Sequence, residues 1–410
     1  MGLPRDARLS SVSAVLAITF ASCLAAAARS NVPALATARV ASGVTVLTPR
    51  RVVPGPRLTF HWPSTGQAAV AVAGVGVVGA SPNERKVAIA SLTKMMTALV
   101  VLHDHPLVAG QAGPSVAIAP SDVRDWQEDV RVGNSAVEVK AGETLNEYQL
   151  LEALLIPSGD NIADRLAIWD AGSTRAFVEK MNLRARALGL RSTSYLDPSG
   201  VDPGSASSAA DQALVASKLM ADPVAAGIVR LQRINLPVVG ILANRNPALA
   251  VDGILGVKGG YSSHARSCLV TAAYRVHHAA LVISVVLGQA DPIHAARIDE
   301  ALLEKTTQRL RRYRLAAPNA EVAILSGPSG SPGIALVGPP APPAAVVWPG
   351  LVLGYAFSPR TARSLRSPQP GALVGMLTVS TAWGAVASIP VKVATAPGGR
   401  TRLASVAVSK

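Results

Sequence analysis

The sequence predicts an α+β protein, with one larger domain of mixed strands and helices followed by a small β domain. Residues 66–80 are rich in valine and alanine around a glycine-rich turn, and residues 253–257, 267–273 and 281–287 are apolar segments of strand length. Segments with helical spacing of apolar residues lie between these two groups. The sheet of the larger domain must therefore combine segments that are distant in the chain, which is typical of an α+β layout.

Composition places few limits on the core but excludes several protein classes. The chain has 410 residues, of which 49% are hydrophobic and only 4% aromatic, so the core must consist mainly of alanine, valine, leucine and isoleucine. Beyond the N-terminal region, no stretch of 18 or more apolar residues occurs, and we expect no polytopic membrane protein. No cysteine or histidine cluster has metal-ligand spacing, so the sequence predicts neither a metal nor a cofactor.

The N-terminus is typical of an exported protein. Arg5 and Arg8 precede the small, apolar segment 11–28, which ends in an alanine run that offers cleavage sites. We interpret residues 1–28 as a signal peptide or an uncleaved anchor. A lipoprotein signal at Cys23 is a weaker alternative, because the apolar segment continues past the cysteine. We expect the protein outside the cytoplasm, in the cell wall or at the outer face of the membrane, with membrane contact only through this N-terminus.

The formal net charge of +14 has two interpretations. A basic surface is attracted to an anionic cell wall or to lipid headgroups, or it only keeps the protein in solution. Patches that combine arginine with aromatic residues are absent, so we expect no nucleic-acid partner. Cys268 lies in an apolar segment and is interpreted as a small buried side chain.

Capping residues and prolines predict where the helices begin and end along the chain. A helix begins at or near Ser91, and a capping box at residues 144–147 opens the next helix, which ends near Pro157. Further helices are predicted over residues 161–169, 174–188, 209–221 and 292–310. Within the last domain, short strands are predicted over residues 322–325, 351–357, 372–379 and 387–393. The expected domains are a linker over 29–57, the larger domain over 58–315 and the β domain over 316–410.

A first candidate motif places a serine and a lysine one helical turn apart. Ser91 and Lys94 share a helix face at the helix N-terminus, where developing negative charge is favoured. The serine can act as a nucleophile if the lysine accepts its proton, which requires the neutral amine. Alone, this spacing is common and also fits a capping serine beside a surface lysine.

Two further segments complete the pattern. Ser158, Asp160 and Asn161 lie in the break between two helices, where a serine can also be a plain helix cap. Lys258, on an apparent strand, precedes Gly259, Gly260 and Tyr261, and such glycines allow a ligand to approach the backbone. An ordinary turn is the alternative there.

In this order the three segments resemble the motifs of the penicillin-recognising serine enzymes. The surrounding sequence is similar to that of the D-alanyl-D-alanine carboxypeptidases among the low-molecular-mass penicillin-binding proteins. The resemblance covers residues 61–310 and includes these segments: IASLTKMMTALVVL, LLIPSGDNIADRLA, FVEKMNLRARALGL, YLDPSGVDPG and GILGVKGGYSSHARSCLVTAA. It implies an antiparallel sheet flanked by helices, a helical subdomain and a C-terminal β domain.

The resemblance also implies a mechanism on peptidoglycan stem peptides that end in D-Ala-D-Ala. Ser91 would attack the penultimate carbonyl with Lys94 as general base, while backbone N–H groups of Ser91 and Tyr261 form the oxyanion hole. Ser158 would carry the proton to the departing D-Ala, and Lys258 would set the electrostatics of the cleft. The remaining motif residues would bind substrate, and β-lactam antibiotics would act as inhibitors.

Two positions depart from the family pattern. Asp160 occupies the position of an asparagine, and an ionised carboxylate there favours the charged form of Lys94, which cannot act as a base. This effect would be avoided if Asp160 were turned away and Asn161 faced the cleft. Gly259 replaces a threonine or serine whose hydroxyl helps to hold the substrate carboxylate. Losing such a hydrogen bond costs about ten- to a hundredfold in rate, unless Ser262 or Ser263 replaces it.

These departures leave three functional interpretations. The sequence favours a weakened but genuine carboxypeptidase. A catalytically impaired wall-binding module that senses stem peptides is the alternative from another class. A class A β-lactamase is the nearest other enzyme, but the expected glutamate after the second motif is absent from the segment DPSGVDPG.

Overall fold

The computed structural model describes residues 43–327 and 331–395. Within them, the strands are β1 (Val44–Val46), β2 (Arg50–Val52), β3 (Gln67–Val72), β4 (Gly76–Ala80), β5 (Val87–Ala88), β6 (Ser115–Ala117), β7 (Thr144–Asn146), β8 (Ala206–Ser207), β9 (Arg233–Leu236), β10 (Gly240–Ala243), β11 (Ile254–Ser262), β12 (Arg266–Arg275), β13 (Ala280–Gln289), β14 (Arg311–Arg314), β15 (Glu321–Leu325), β16 (Ile334–Val337), β17 (Ala344–Val347), β18 (Val352–Pro359), β19 (Leu373–Thr381) and β20 (Gly384–Val393). The helices are α1 (Lys94–Asp104), α2 (Pro120–Val132), α3 (Glu147–Leu155), α4 (Asp160–Ala171), α5 (Thr174–Ala187), α6 (Ala209–Leu219), α7 (Pro223–Ile228), α8 (Pro292–Thr307) and α9 (Ala362–Arg366).

A five-stranded antiparallel sheet joins the two ends of the larger domain, in the order β11-β12-β13-β3-β4. Val282 on β13 pairs with Val72 on β3, although more than 200 residues separate them in the sequence. Helices α6 and α8 both pack on this sheet. A sheet covered on both faces needs apolar side chains on both faces, and this explains the nearly continuous apolar segments in β12 and β13. The predicted α+β fold is confirmed.

Helix α1 is the central helix of the helical region. Nine of its eleven residues are buried, and it packs against α3, α4, α5 and α6. Apolar side chains such as Met95, Leu99 and Leu102 lie on several of its faces, as expected for a helix surrounded by protein. The residues that open α1 are therefore held in place by the surrounding helices.

The prediction that a capping box at residues 144–147 opens a helix is wrong, because a short strand occupies the first of these residues. Thr144 and Leu145 belong to β7, which pairs with β6, and Asn146 caps α3 instead. The Asn146 side chain accepts a hydrogen bond from Gln149 N, and Gln149 Oε1 accepts one from Asn146 N. Asparagine forms this reciprocal cap as readily as threonine, so the sequence pattern fitted two registers.

A seven-stranded sheet forms the second layer of β structure, in the order β1-β15-β16-β20-β19-β18-β2. Its two edge strands come from the segment that we expected to be a linker over residues 29–57. Val44 pairs with Leu325, and Val52 pairs with Val352. The linker prediction is therefore wrong for β1 and β2, because these short segments complete a sheet whose other strands lie at the far end of the chain.

The predictions for the leader, including Cys23, fall outside the described residues. Among the described residues, no helix is both long and apolar enough to cross a membrane. The same part of the chain contains no group of three or more histidine, cysteine or acidic side chains arranged to hold a metal ion.

Candidate active site

Ser91 lies in a 3₁₀ turn, Ala90–Thr93, that leads directly into α1. Ala90 has a φ of 47°, an uncommon backbone conformation for a residue with a Cβ, which redirects the chain immediately before the serine. Lys94 is fully buried, and its Nζ lies 3.0 Å from Ser91 Oγ. The structure thus brings the predicted nucleophile and its predicted base into direct contact.

The amine of Lys94 has three oxygen acceptors. Besides Ser91 Oγ, Nζ donates to Asp160 Oδ1 at 2.5 Å and to the carbonyl of Ser199 at 2.9 Å. An ammonium group has three N–H donors, whereas a neutral amine has two donors and one lone pair. Because the Ser91 hydroxyl can donate as well as accept, the three contacts fit either form of the amine, and the carboxylate of Asp160 forms a buried ion pair with the ammonium form.

Asp160 is held in place by hydrogen bonds to the backbone of Ser135. It is the first residue of α4 and only 4% exposed, and its Oδ2 accepts a hydrogen bond from Ser135 N at 2.9 Å. Its own N–H donates to the carbonyl of Ser135 at 2.7 Å. Both carboxylate oxygens thus have a donor, and the side chain faces Lys94.

Asn161 is turned away from Lys94. Its Oδ1 accepts from Val137 N at 3.0 Å and its Nδ2 donates to the Val137 carbonyl at 2.9 Å. Because the side chain is buried and fully hydrogen-bonded to the backbone, the arrangement in which Asn161 rather than Asp160 faces the cleft is wrong. The Asn161 side chain holds Val137 in place, and its predicted substrate contact has no support in this geometry.

Ser158 lies at the mouth of the same site. It adopts a left-handed conformation with a φ of 71° and is 4% exposed. Among the described residues its Oγ has no hydrogen-bond partner. A buried hydroxyl without a partner costs free energy, and such orphaned groups concentrate at functional sites. Ser158 lines the same cleft as Ser91.

Strand β11 forms the opposite wall. A Cβ on Gly260 would lie 3.0 Å from Ser91 N, so the strand packs closely against the nucleophile. Lys258 is buried, and its Nζ donates to the Gly259 carbonyl at 3.0 Å. Burial lowers the pKa of Lys258 well below its usual range, and the nearby charges of Lys94 and then Arg245 act in the same direction.

The cleft between these walls has a volume of about 320 Å³. Arg245, Pro247 and Tyr261 form its exposed rim, and Tyr261 is 67% exposed. The cleft is lined by Ser91, Gly133, Ser135, Ser158, Arg245, Pro247, Gly259, Gly260, Tyr261, Ser267, Cys268, Leu269 and Pro292. Burial raises the pKa of the Cys268 thiol to about 12, so it remains protonated and unreactive.

A second, acidic cavity of about 450 Å³ lies behind the ion pair. Asp129, Asp164, Asp197 and Asp202 line it together with Asp160. Burial raises the pKa of Asp164 to about 7, and the neighbouring carboxylates add to this effect. The carboxylates that line this cavity place acidic groups close to Lys94.

Sequence reasoning missed three residues that shape the site. Ser199 supplies a backbone acceptor to Lys94, Ser135 ties down Asp160, and the guanidinium of Arg245 reaches into the cleft. Ser199 lies within the segment YLDPSGVDPG that supported the resemblance, but backbone contacts leave no side-chain signal. Ser135 and Arg245 lie in loops with no motif, and only the fold brings them to the cleft.

An α+β fold with a serine–lysine pair, a second serine and a lysine-bearing strand around one cleft defines the class of penicillin-recognising serine enzymes. A sequence model of the D-alanyl-D-alanine carboxypeptidases matches residues 66–291, more than half of the chain. The protein belongs to this family.

Individual proteins with similar sequences are also D-alanyl-D-alanine carboxypeptidases. D-alanyl-D-alanine carboxypeptidase DacF of Bacillus subtilis is 32% identical over 217 residues, which cover 51% of this chain and 53% of the relative. D-alanyl-D-alanine carboxypeptidase DacB2 of Mycobacterium tuberculosis is 35% identical over 206 residues, which cover 48% of this chain and 66% of the relative. The matched region thus spans about half to two thirds of these curated proteins.

Solved structures share the fold. D-alanyl-D-alanine carboxypeptidase DacD of Francisella tularensis superimposes with a TM-score of 0.59 at 21% identity, over 84% of this chain and 95% of that chain. Penicillin-binding protein 5 of Haemophilus influenzae gives a TM-score of 0.60 at 20% identity, over 83% and 98% of the two chains. At these identities the similarity demonstrates the fold.

Proposed function

We propose that the protein is an exported serine-type D-alanyl-D-alanine carboxypeptidase that removes the terminal D-Ala from peptidoglycan stem peptides. The observation that carries the proposal is the 3.0 Å contact between Ser91 Oγ and Lys94 Nζ in a cleft that Ser158 also lines. Family membership supports the reaction class, and β-lactam antibiotics are the expected inhibitors.

The proposed reaction proceeds in two steps. Ser91 Oγ attacks the penultimate carbonyl and gives its proton to Lys94, and the oxyanion receives hydrogen bonds from the N–H groups of Ser91 and Tyr261. Ser158 passes a proton to the nitrogen of the departing D-Ala as the peptide bond breaks. Water then hydrolyses the ester on Ser91 and releases the shortened peptide.

The first step is slowed by the ion pair. Lys94 must release a proton before it can accept one from Ser91, and the 2.5 Å contact with Asp160 opposes that release. We therefore propose an enzyme with reduced acylation. The carboxylate pairs with the ammonium form of Lys94 and leaves every reacting group in place.

A wall-binding module remains the second candidate, and one observation favours it. The same ion pair, if it holds Lys94 permanently as ammonium, leaves a cleft that binds stem peptides without acylation. The basic net charge of +14 suits attraction to an anionic wall in either case.

Intact-protein mass after incubation with benzylpenicillin tests the proposal, with Ser91→Ala as control. A penicilloyl adduct on the parent protein and none on the variant, together with release of D-Ala from a pentapeptide, would support the carboxypeptidase. Peptide binding without either product would favour the wall-binding module. Rapid turnover of penicillin would instead point to a β-lactamase.

A further inference from the structure

Charge is distributed unevenly between two parts of the chain. Residues 59–308, which include the candidate active site, contain 21 lysine or arginine residues and 23 acidic residues. Residues 43–58 and 309–395 form the seven-stranded sheet and the β14–β17 pair, and they contain 11 lysine or arginine residues and one acidic residue, Glu321. The positive charge of the described chain is therefore concentrated in this second part.

Two of these arginines lie beside the first half of strand β18. The side chain of Arg57 lies next to Gly350, just before the strand begins, since a Cβ on Gly350 would be 3.8 Å from Arg57 Cγ. Arg50 lies on the edge strand β2, where it pairs with Gly354 in the first half of β18. Both arginine side chains are exposed.

Three more exposed arginines lie at the other end of β18. Arg360 directly follows the strand, and helix α9, which carries Arg363 and Arg366, packs against β18 and β19. A strand of eight residues is about 25 Å long. The arginine row, which we define as Arg50, Arg57, Arg360, Arg363 and Arg366, thus extends over the length of this strand.

The charges of the arginine row are not balanced within the described residues. In that part of the chain, no carboxylate oxygen lies within 4.0 Å of any of the five side chains. Uncompensated like charges repel one another and attract anions from solution. A guanidinium also keeps its charge at all relevant pH values, and its planar fork of N–H donors matches the oxygens of a phosphate group. The arginine row is therefore available to an anionic partner.

The shape and surroundings of the row indicate which anion fits. Charges that follow the length of one strand match a linear polymer, whereas a bilayer presents its phosphates in a plane. Tyr355 and Phe357, the aromatic residues of β18, are buried and cannot stack on nucleobases. These features favour a linear phosphate polymer without bases.

We propose that the arginine row binds a linear phosphate polymer of the poly(glycerol phosphate) type. The attraction acts between exposed charges and is therefore weakened by salt. This binding goes beyond the proposed function and does not depend on catalysis. A polymer of this kind in the cell wall holds the enzyme close to its proposed substrate.

Fluorescence anisotropy of labelled poly(glycerol phosphate) tests the proposal on the full chain. We expect the parent protein to bind the polymer with an affinity that falls as salt is added. The row variant combines Arg50→Gln, Arg360→Gln and Arg363→Gln. Loss of three exposed ionic contacts should weaken its binding at least about tenfold.

A matched control variant removes the same charge from residues 59–308. It combines Arg186→Gln, Arg191→Gln and Arg233→Gln, three exposed positions away from β18. Its affinity for the polymer should stay within about twofold of the parent value, because distant charges are screened. Since all six positions are exposed, both variants should keep the melting temperature of the parent protein.

The inference is overturned if the parent protein does not bind the polymer. It is also overturned if the control variant loses as much affinity as the row variant, because binding would then follow net charge alone. Tighter binding to vesicles of phosphatidylcholine and phosphatidylglycerol, or to an oligonucleotide with the same number of phosphates, would identify a membrane or a nucleic acid as the partner instead.

Discussion

At the residue scale, the contact between Asp160 and Lys94 decides how the site works. Family-type sites have an amide at this position, and the side-chain oxygen of an amide can accept from Ser135 N while its NH₂ donates to a neutral lysine amine. A carboxylate can only accept, and it accepts from both Lys94 Nζ and Ser135 N. Exchanging one atom of the Asp160 side chain therefore replaces a hydrogen-bond donor to Lys94 by an acceptor that pairs with the ammonium.

Asp160→Asn should increase the rate of acylation, because an amide no longer pairs with the ammonium of Lys94. We expect an increase of about tenfold or more at neutral pH. Stopped-time mass spectrometry with benzylpenicillin measures the acylation rates of the two proteins.

Asp164→Asn provides the matched control for this change. It removes a carboxylate from the next turn of α4 that lines the acidic cavity but makes no hydrogen bond to Lys94. It should have a much smaller effect. A slower Asp160→Asn protein would show instead that the carboxylate assists the reaction.

At the scale of elements, the approach of β11 to the 3₁₀ turn sets the geometry of the nucleophile. Gly260 faces Ser91, whereas Gly259 faces the Arg245 loop, since successive residues of a strand point to opposite sides. The two adjacent glycines consequently differ in the space available for a side chain.

Gly260→Ala should slow acylation at least tenfold, because the new methyl group would lie 3.0 Å from Ser91 N and displace either strand or nucleophile. Gly259→Ala meets its nearest atoms at 3.7 Å and should be tolerated. Penicillin acylation rates and melting temperatures of both proteins test the difference. Equal rates would mean that β11 does not position Ser91.

Helix α8 places a carboxyl group against the central sheet. Asp299 is fully buried, Thr271 Oγ1 donates to its Oδ2 at 2.6 Å, and its Oδ1 has no partner among the described residues. Burial raises the pKa of Asp299 to about 7. The folded state therefore retains a proton that the unfolded state loses, and this group's contribution to stability falls as the pH rises from about 4 to 7.

Asp299→Asn should remove that pH dependence, since the amide still accepts from Thr271 and carries no charge. We expect the variant to exceed the parent in free energy of unfolding at pH 8, by an amount on the order of a few kcal/mol, and by less at pH 5. Denaturant unfolding at both pH values measures this. Glu304→Gln, exposed on the same helix, is the control and should change neither value.

At the scale of the whole molecule, segments far apart in the chain complete each sheet. Strand β3 joins β13 in the central sheet, and β1 and β2 form the edges of the seven-stranded sheet. The buried residues of the second sheet belong to one cluster that also contains residues of the first sheet, such as Val70 and Val286.

Val44→Ala should destabilise the protein by about 2 kcal/mol, because the Val44 side chain is buried against this cluster. Thr45→Ala, at the exposed neighbouring position of β1, should cost much less. Urea unfolding of the two variants provides the comparison. An equal effect would mean that β1 contributes no packing to the core.

The sequence by itself determined the fold class, the three motif segments and most elements of the larger domain. Period and length of apolar segments identify strands such as β12 and helices such as α5, because burial on known faces restricts residue type locally. The spacing of Ser91 and Lys94 is likewise local, since one helical turn brings them together.

Only the tertiary structure decided which of Asp160 and Asn161 faces Lys94. Both residues start the same helix, and their roles depend on hydrogen bonds to Ser135 and Val137, more than 20 residues earlier in the chain. The tertiary structure likewise decided the pairing of strands β1 and β2 and the position of Arg245. Contacts between distant segments place them, and short polar or mixed segments carry no periodic pattern from which such contacts can be predicted.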